Sequence, residues 1–186
     1  MSGLTQKYPD LGRPGFGDML AARIARKYFL STGVEPMVSR TRDLRQSGVG
    51  TIVDLVGESG RNSSKRLRAD ITKAIGDVII SDELGAAMAI RPGQFGHDHM
   101  ILREVADYLA KNGIFVWIDM EKRDTVDPTI DTYLDVVGEN QGRVGLAIQA
   151  YLLRTRRDIE RIIRFSSDNK IEVHLRPVRG VYVKRG

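Results

Sequence analysis

The stretch Ile171-Glu-Val-His-Leu-Arg-Pro-Val-Arg-Gly-Val-Tyr182 alternates apolar and polar residues and then meets a glycine, the pattern of a strand running into a turn. Arg176, Val178 and Gly180 are spaced by two and so line one face. Gly180 lets the backbone pass close to a flat ligand. An arginine at the carboxyl end of a parallel strand suits an anionic or electron-rich partner, and it suits a surface ion pair equally well. The strand alone does not decide between them.

Working outward, apolar runs at 51–56, 86–90, 114–118 and 144–148 precede the fifth run at 171–175. The first is apolar on both faces apart from Asp54, which argues for a parallel sheet. Between the runs lie helical periodicities at 65–75, 100–111, 128–137 and 158–165, with Pro128 in a first helical turn and Thr155 and Asp158 spaced as a capping box. Earlier residues predict helices at 18–33 and 36–46. Strand starts recur roughly every 30 residues without self-similarity, which predicts parallel strands joined by right-handed crossovers. Two architectures fit five such strands: an open doubly wound sheet, or the first five strands of an eight-stranded barrel, which needs about 250 residues. The sequence ends a few residues past its fifth strand, with no helix to cover it in an open sheet. The expected fold class is therefore α/β, an incomplete (βα)8 TIM-barrel type. It divides into an N-terminal loop at 1–17, a helical segment at 18–48 and a partial barrel at 49–186.

With 186 residues, 41% of them hydrophobic and 28% charged, the chain can bury one substantial core. It has no cysteine, which excludes disulfides and thiolate metal sites and is compatible with a reducing compartment. No apolar run reaches the roughly 18 residues that span a bilayer, and no signal peptide is visible, so the expected location is the cytoplasm. A formal charge of +5 and a pI near 9.6 invite a nucleic-acid reading. The densest cationic group, Arg154, Arg156, Arg157, Arg161 and Arg164, falls instead at helical spacing and reads as a solvated face. No aromatic residues interleave it to stack bases, so no nucleic-acid partner is expected. Gly12-Arg-Pro-Gly-Phe-Gly17 follows no strand and precedes no Lys-Ser or Lys-Thr, so it reads as a loop and not as a phosphate cradle.

Polar residues gather at the carboxyl ends of the strands, where βα folds place their sites: Glu58, Arg91, Asp119 with Glu121, Gln149 with Tyr151, then Arg176 and Tyr182. Each alone is as well explained as a cap, a turn former or a surface charge. Asp119 and Glu121 read as an acid and base or as metal ligands, but no histidine completes a metal set, and no metal is expected. His97 and His99 fall in a loop that should face solvent. Trp117, inside the third strand, reads as core. Ser59, Ser63 and Ser64 lack the Gly-x-Ser-x-Gly elbow of a serine hydrolase.

Asp54-Leu-Val-Gly-Glu58, Ile90-Arg-Pro-Gly-Gln-Phe-Gly96, Ile118-Asp-Met-Glu121, Gln149-Ala-Tyr151 and Arg176-Pro-Val-Arg-Gly-Val-Tyr182 resemble, in order and in strand position, the strand-end motifs of the proline dehydrogenases. The resemblance runs from about residue 20 to 186. It implies a barrel that binds FAD and oxidises L-proline to 1-pyrroline-5-carboxylate, with electrons passing to a quinone and peripheral contact with the inner face of the membrane. It implies catalytic roles for Arg91, Asp119 and Arg176. It also implies flavin contacts from Gln149, Arg176, Val178 and Gly180, and a substrate pocket walled by Arg91 and Tyr182. Gln149 would hydrogen-bond the pyrimidine edge of the flavin, and Asp119 would anchor the polar network beneath substrate and cofactor. A cation such as Arg176 near N5 and O4 stabilises negative charge on the flavin ring. The chain departs from the family at Arg91, where a lysine is usual, and it ends before the strands and arginine-bearing helix that grip the substrate carboxylate. It is therefore expected to be a fragment of the full enzyme. The alternative is a non-catalytic flavin-binding or interaction protein derived from the same fold.

Overall fold

Short β-branched and apolar runs separated by amphipathic helices fold here into one parallel sheet. The computed structural model describes residues 33–55 and 64–180. The chain divides into two compact units, Met1–Arg40 and Thr41–Gly186. The described part of the first is the start of α1 (Val34–Gln46). The expected loop at 1–17 and helix at 18–33 lie outside the described residues.

The second unit contains β1 (Ile52–Asp54), β2 (Ala87–Ile90), β3 (Val116–Asp119), β4 (Val144–Gln149) and β5 (His174–Val178). They are linked by α2 (Lys65–Ser81), α3 (His99–Lys111), α4 (Val126–Glu139) and α5 (Thr155–Asn169). All neighbouring strands are parallel, and their order in space is their order in sequence, β1-β2-β3-β4-β5. A doubly wound sheet would reverse that order at a switch point. The sequential order is that of a singly wound sheet, in which every crossover helix lies on the same side, as in a (βα) barrel.

The two faces of the sheet are chemically distinct because parallel register keeps paired residues on one side. Val53, Met88, Ile90, Val116, Ile118, Leu146 and Ile148 face the helices and are buried. Each such side chain contributes roughly 1.5–3 kcal/mol on leaving water. The helices stand side by side, joined by ion pairs: Arg66 and Lys73 of α2 to Glu104 of α3, Arg103 of α3 to Asp135 and Glu139 of α4, and Arg161 of α5 to Asp131 of α4. Arg154 bonds Asp127 and Asp158, and Arg156 bonds Glu160. The arginine group of α5 is thus largely spent on neighbouring carboxylates.

Several boundaries differ from the sequence reading, each for a local reason. β5 starts three residues later than expected, because Ile171 is a buried residue of the connection: its N–H and C=O are both bonded to Ser166, at the end of α5. β1 is three residues long and exposes Ile52 and Asp54, so only its helix-facing side is buried. α2 runs past Gly76, where the periodicity had suggested an end. A Cβ there would lie 2.4 Å from Leu109 Cδ2 and 3.2 Å from Ile114 Cδ1, so the glycine serves close packing and not a helix stop. Thr155 does not cap α5: its hydroxyl donates to the Gln149 carbonyl at 2.5 Å, and Arg154 holds Asp158. Gly76→Ala should gain up to about 1 kcal/mol of helix propensity and lose about 1–3 kcal/mol to overpacking. Urea unfolding should therefore show a net loss of roughly 1 kcal/mol.

Candidate active site

On the sheet face opposite the helices, the register stacks side chains into rows. Asp54, Ala89, Trp117, Gly145 and His174 are paired successively across the five strands. One step toward the carboxyl ends, Asp119, Ala147 and Arg176 form the next row, and Arg91 follows β2 at the same level because Ile90 pairs with Ile118. Gln149 and Val178 pair one step further on. The described members of the expected site, Arg91, Asp119, Glu121, Gln149, Arg176, Val178 and Gly180, therefore converge on one end and one face. Glu58 and Tyr182 lie outside the described residues.

The second row is organised by charge. Arg176 Nη2 donates to Asp119 Oδ1 at 2.6 Å. The two residues lie two strands apart, and the small Ala147 between them lets the arginine pass over β4. Arg91 Nη2 donates to Asp54 Oδ2 across the β1–β2 boundary. Burial opposes the Arg91 charge, but the Asp54 carboxylate, with Asp119 and Glu121 nearby, outweighs it and raises the guanidinium pKa further. Both guanidinium groups keep a buried Nε with no hydrogen-bond partner. Asp54 is the partner that sequence reasoning left out of the site; the signal was an isolated acid in an otherwise apolar strand. Gln94 was missed as well. It accepts the Arg91 N–H at 2.9 Å and donates to the Leu55 carbonyl at 3.0 Å, which ties the loop after β2 to the end of β1.

Glu121 is not an exposed acid. Its Oε2 accepts the Gly93 N–H at 2.5 Å, and a Cβ at Gly93 would sit 2.7 Å from Oε1. Among the described residues no group of three or more His, Cys, Asp or Glu side chains could hold a metal ion. His97 Nδ1 lies 3.9 Å from Glu121 Oε2, at a left-handed backbone position with φ 59°. His99 begins α3, half-buried, with Nδ1 3.3 Å from Thr132 Oγ1, so the expected solvent-facing histidine loop is only partly exposed. Asp98 between them caps α3, accepting from the Met100 and Ile101 N–H groups.

Gln149 is buried, and its amide is oriented by the main chain of the β3 extension. Nε2 donates to the Glu121 carbonyl at 3.0 Å and to the Met120 carbonyl at 3.4 Å, leaving Oε1 buried without a partner. A buried, unpaired acceptor costs free energy unless a donor reaches it. An N–H on the edge of a heterocycle is such a donor. Gly180, at φ 93°, lies against Tyr151; a Cβ there would fall 2.1 Å from the tyrosine ring. The glycine thus makes room for the Tyr151 ring, which packs on the turn after β5 beside Gln149. The residues present thus fit a flat, polar-edged cofactor such as FAD.

Trp117, expected in the core, is half-buried, and it lies on this face of the sheet, away from the helices. An odd position in β3 must point away from the helices when Val116 and Ile118 point toward them.

A singly wound parallel sheet with a charged row at its carboxyl end defines a βα-barrel-type scaffold with its candidate site in the usual place. The family model described as "Proline dehydrogenase" matches residues 37–185. Proline dehydrogenase 1 of Bacillus subtilis is 25% identical over 168 residues, covering 85% of this chain and 52% of that protein. Proline dehydrogenase of Deinococcus radiodurans is 25% identical over 177 residues, covering 87% of this chain and 54% of that protein. Proline utilization A (PutA) of Bdellovibrio bacteriovorus, inactivated by N-propargylglycine, superposes with a TM-score of 0.74 at 15% identity, over 89% of this chain and 22% of that one. PutA of Bradyrhizobium japonicum superposes with a TM-score of 0.68 at 17% identity, over 89% of this chain and 19% of that one. The chain belongs to the proline dehydrogenase family. It spans about half the length of the curated relatives it matches. No helix among the described residues is long and apolar enough to cross a membrane.

Proposed function

We propose that this chain supplies the flavin-facing part of a proline dehydrogenase, with residues 49–186 as the barrel portion, and that it acts in the oxidation of L-proline to 1-pyrroline-5-carboxylate. The observation that carries the proposal is the buried, unpaired Gln149 Oε1 in one cluster with the Arg176–Asp119 pair. FAD, when bound, would take the hydride from the proline ring carbon next to nitrogen and pass the electrons on to a quinone. Gln149 orients the pyrimidine edge by accepting from it. Arg176 presents positive charge to the ring, fixed in place by Asp119 before any ligand arrives, which is how preorganised charge lowers a barrier. Val178 and the turn at Gly180, with Tyr151 packed on it, help to exclude water. Arg91, held by Asp54, offers its remaining donors to the substrate, and Tyr182 is assigned to the same pocket on the family resemblance alone.

The test is a titration of the chain with FAD, followed by addition of L-proline under anaerobic conditions. Saturable quenching of flavin fluorescence, then proline-dependent bleaching of the visible flavin band, is the expected result. No binding would overturn the flavin reading. Binding without bleaching would favour the non-catalytic alternative, for which Arg91 in place of the usual lysine is the relevant feature, since a planar fork and an ammonium are not interchangeable.

The loop after β2 gives a second expectation. Glu121→Ala removes the acceptor of the Gly93 N–H and loosens the Gln94 contacts that set Arg91. Proline affinity should fall several-fold, on the order of 1 kcal/mol for one lost hydrogen bond, while FAD affinity changes less. Equal losses in both would mean that Glu121 acts on the fold as a whole.

A further inference from the structure

We propose that Trp117 is the positioning residue for Arg176. The inference rests on the reading of Arg176 as a flavin-facing cation for its consequence, but its geometry stands by itself.

Arg176 Cζ lies 4.8 Å from the centroid of the Trp117 ring system, within the range of an attractive cation–π contact. The indole reaches this place because β4 carries glycine beneath it: a Cβ at Gly145 would sit 2.5 Å from Trp117 Cζ3 and 2.6 Å from Cε3. Phe115 braces the ring from the row below, with centroids 5.2 Å apart and planes tilted by 52°, and Phe115 is itself in edge contact with His174 at 5.2 Å. Among the described residues the Arg176 guanidinium makes one hydrogen bond, from Nη2 to Asp119, while its Nε is buried without a partner. A single bond at one tip fixes a point and not a plane, so the fork could pivot about Asp119. The indole face supplies the second constraint and sets the plane in which the remaining donors are offered. Arg176 is thereby oriented by an acid from one side and an aromatic floor from the other, both on β3.

Trp117 is the chain's one tryptophan, and the arrangement has a spectroscopic signature. In proton–nitrogen correlation spectra the Arg176 Nε–H, assigned by its loss in Arg176→Lys, should be displaced by the ring current of the indole. Trp117→Leu should return it to an ordinary arginine position, and Trp117→Phe should keep part of the displacement. In FAD titrations Trp117→Leu should weaken binding by about three- to thirtyfold, the factor equivalent to a cation–π contact, with Trp117→Phe recovering part of the loss. An Arg176 resonance unchanged in both variants would overturn the proposal, as would unaltered FAD affinity in Trp117→Leu. If the parent chain bound no FAD while the resonance still moved in Trp117→Leu, the flavin reading would fail and the positioning role would stand.

Discussion

Asp119→Ala is expected to weaken FAD binding by about tenfold or more and to lower stability by roughly 1–3 kcal/mol, the cost of leaving a partly buried charged donor unpaired. Arg176 already carries one unpartnered buried Nε, and losing the 2.6 Å bond to Asp119 would leave a second donor unsatisfied. Both side chains are about one-third exposed or less, at 32% for Arg176 and 27% for Asp119, so water can reach part of the pair and keeps the loss below that of a fully buried bridge. Asp119→Asn retains an acceptor at nearly the same place and should recover most of the stability but less of the affinity. Chemical denaturation and flavin titration on the three proteins separate the two effects. An alanine variant with parental affinity would remove Asp119 from the site.

Tyr133→Phe tests how the edge strand is held. Tyr133 is fully buried in α4, and its hydroxyl donates to the His174 carbonyl at 3.4 Å and accepts the His174 N–H at 3.2 Å, pinning the first residue of β5. Removing the hydroxyl should cost about 1–2 kcal/mol at neutral pH. Burial also pushes the phenol pKa up to about 12 from an ordinary 10, more than the bond to His174 lowers it. The folded state therefore holds the phenolic proton more tightly than the unfolded chain does. That contribution is fully present below about pH 10 and is lost as pH rises through about 12, a difference on the order of 2–3 kcal/mol. The phenylalanine variant lacks this term, so its stability should approach that of the parent as pH rises above about 10 and match or exceed it at about pH 12. Parallel stability curves for the two proteins over that range would show that the tyrosine is not buried as described.

The strand-end residues were legible because βα folds put chemistry where strands stop, and the polar residues Arg91, Asp119, Gln149 and Arg176 each end an apolar run. What they touch was not legible. The partner of Arg91 is Asp54, 37 positions away, and that of Arg176 is Asp119, 57 positions away. Side-chain reach across two strands depends on how small the residue between them is, here Ala147 and, one row below, Gly145. Trp117 was misread for the same reason: an apolar side chain in a strand says that it leaves bulk water, not which face of the sheet it occupies.

By itself the sequence determined the βα period, the parallel sheet, the end of the sheet that carries the polar residues and the family those motifs resemble. The first three follow from local patterning, with a period of two in strands and 3.6 in helices, and the family resemblance from the residues of the motifs themselves. The sequence also favoured the barrel type over the doubly wound sheet, but the strand order that separates the two is a tertiary property, since both share that local pattern. Only the tertiary structure decided the rows, because register between strands fixes which distant residues meet. The orientation of Gln149 belongs here too: its amide points as it does because the Met120 and Glu121 carbonyls, on a neighbouring strand's extension, accept from its nitrogen and leave its oxygen without a partner.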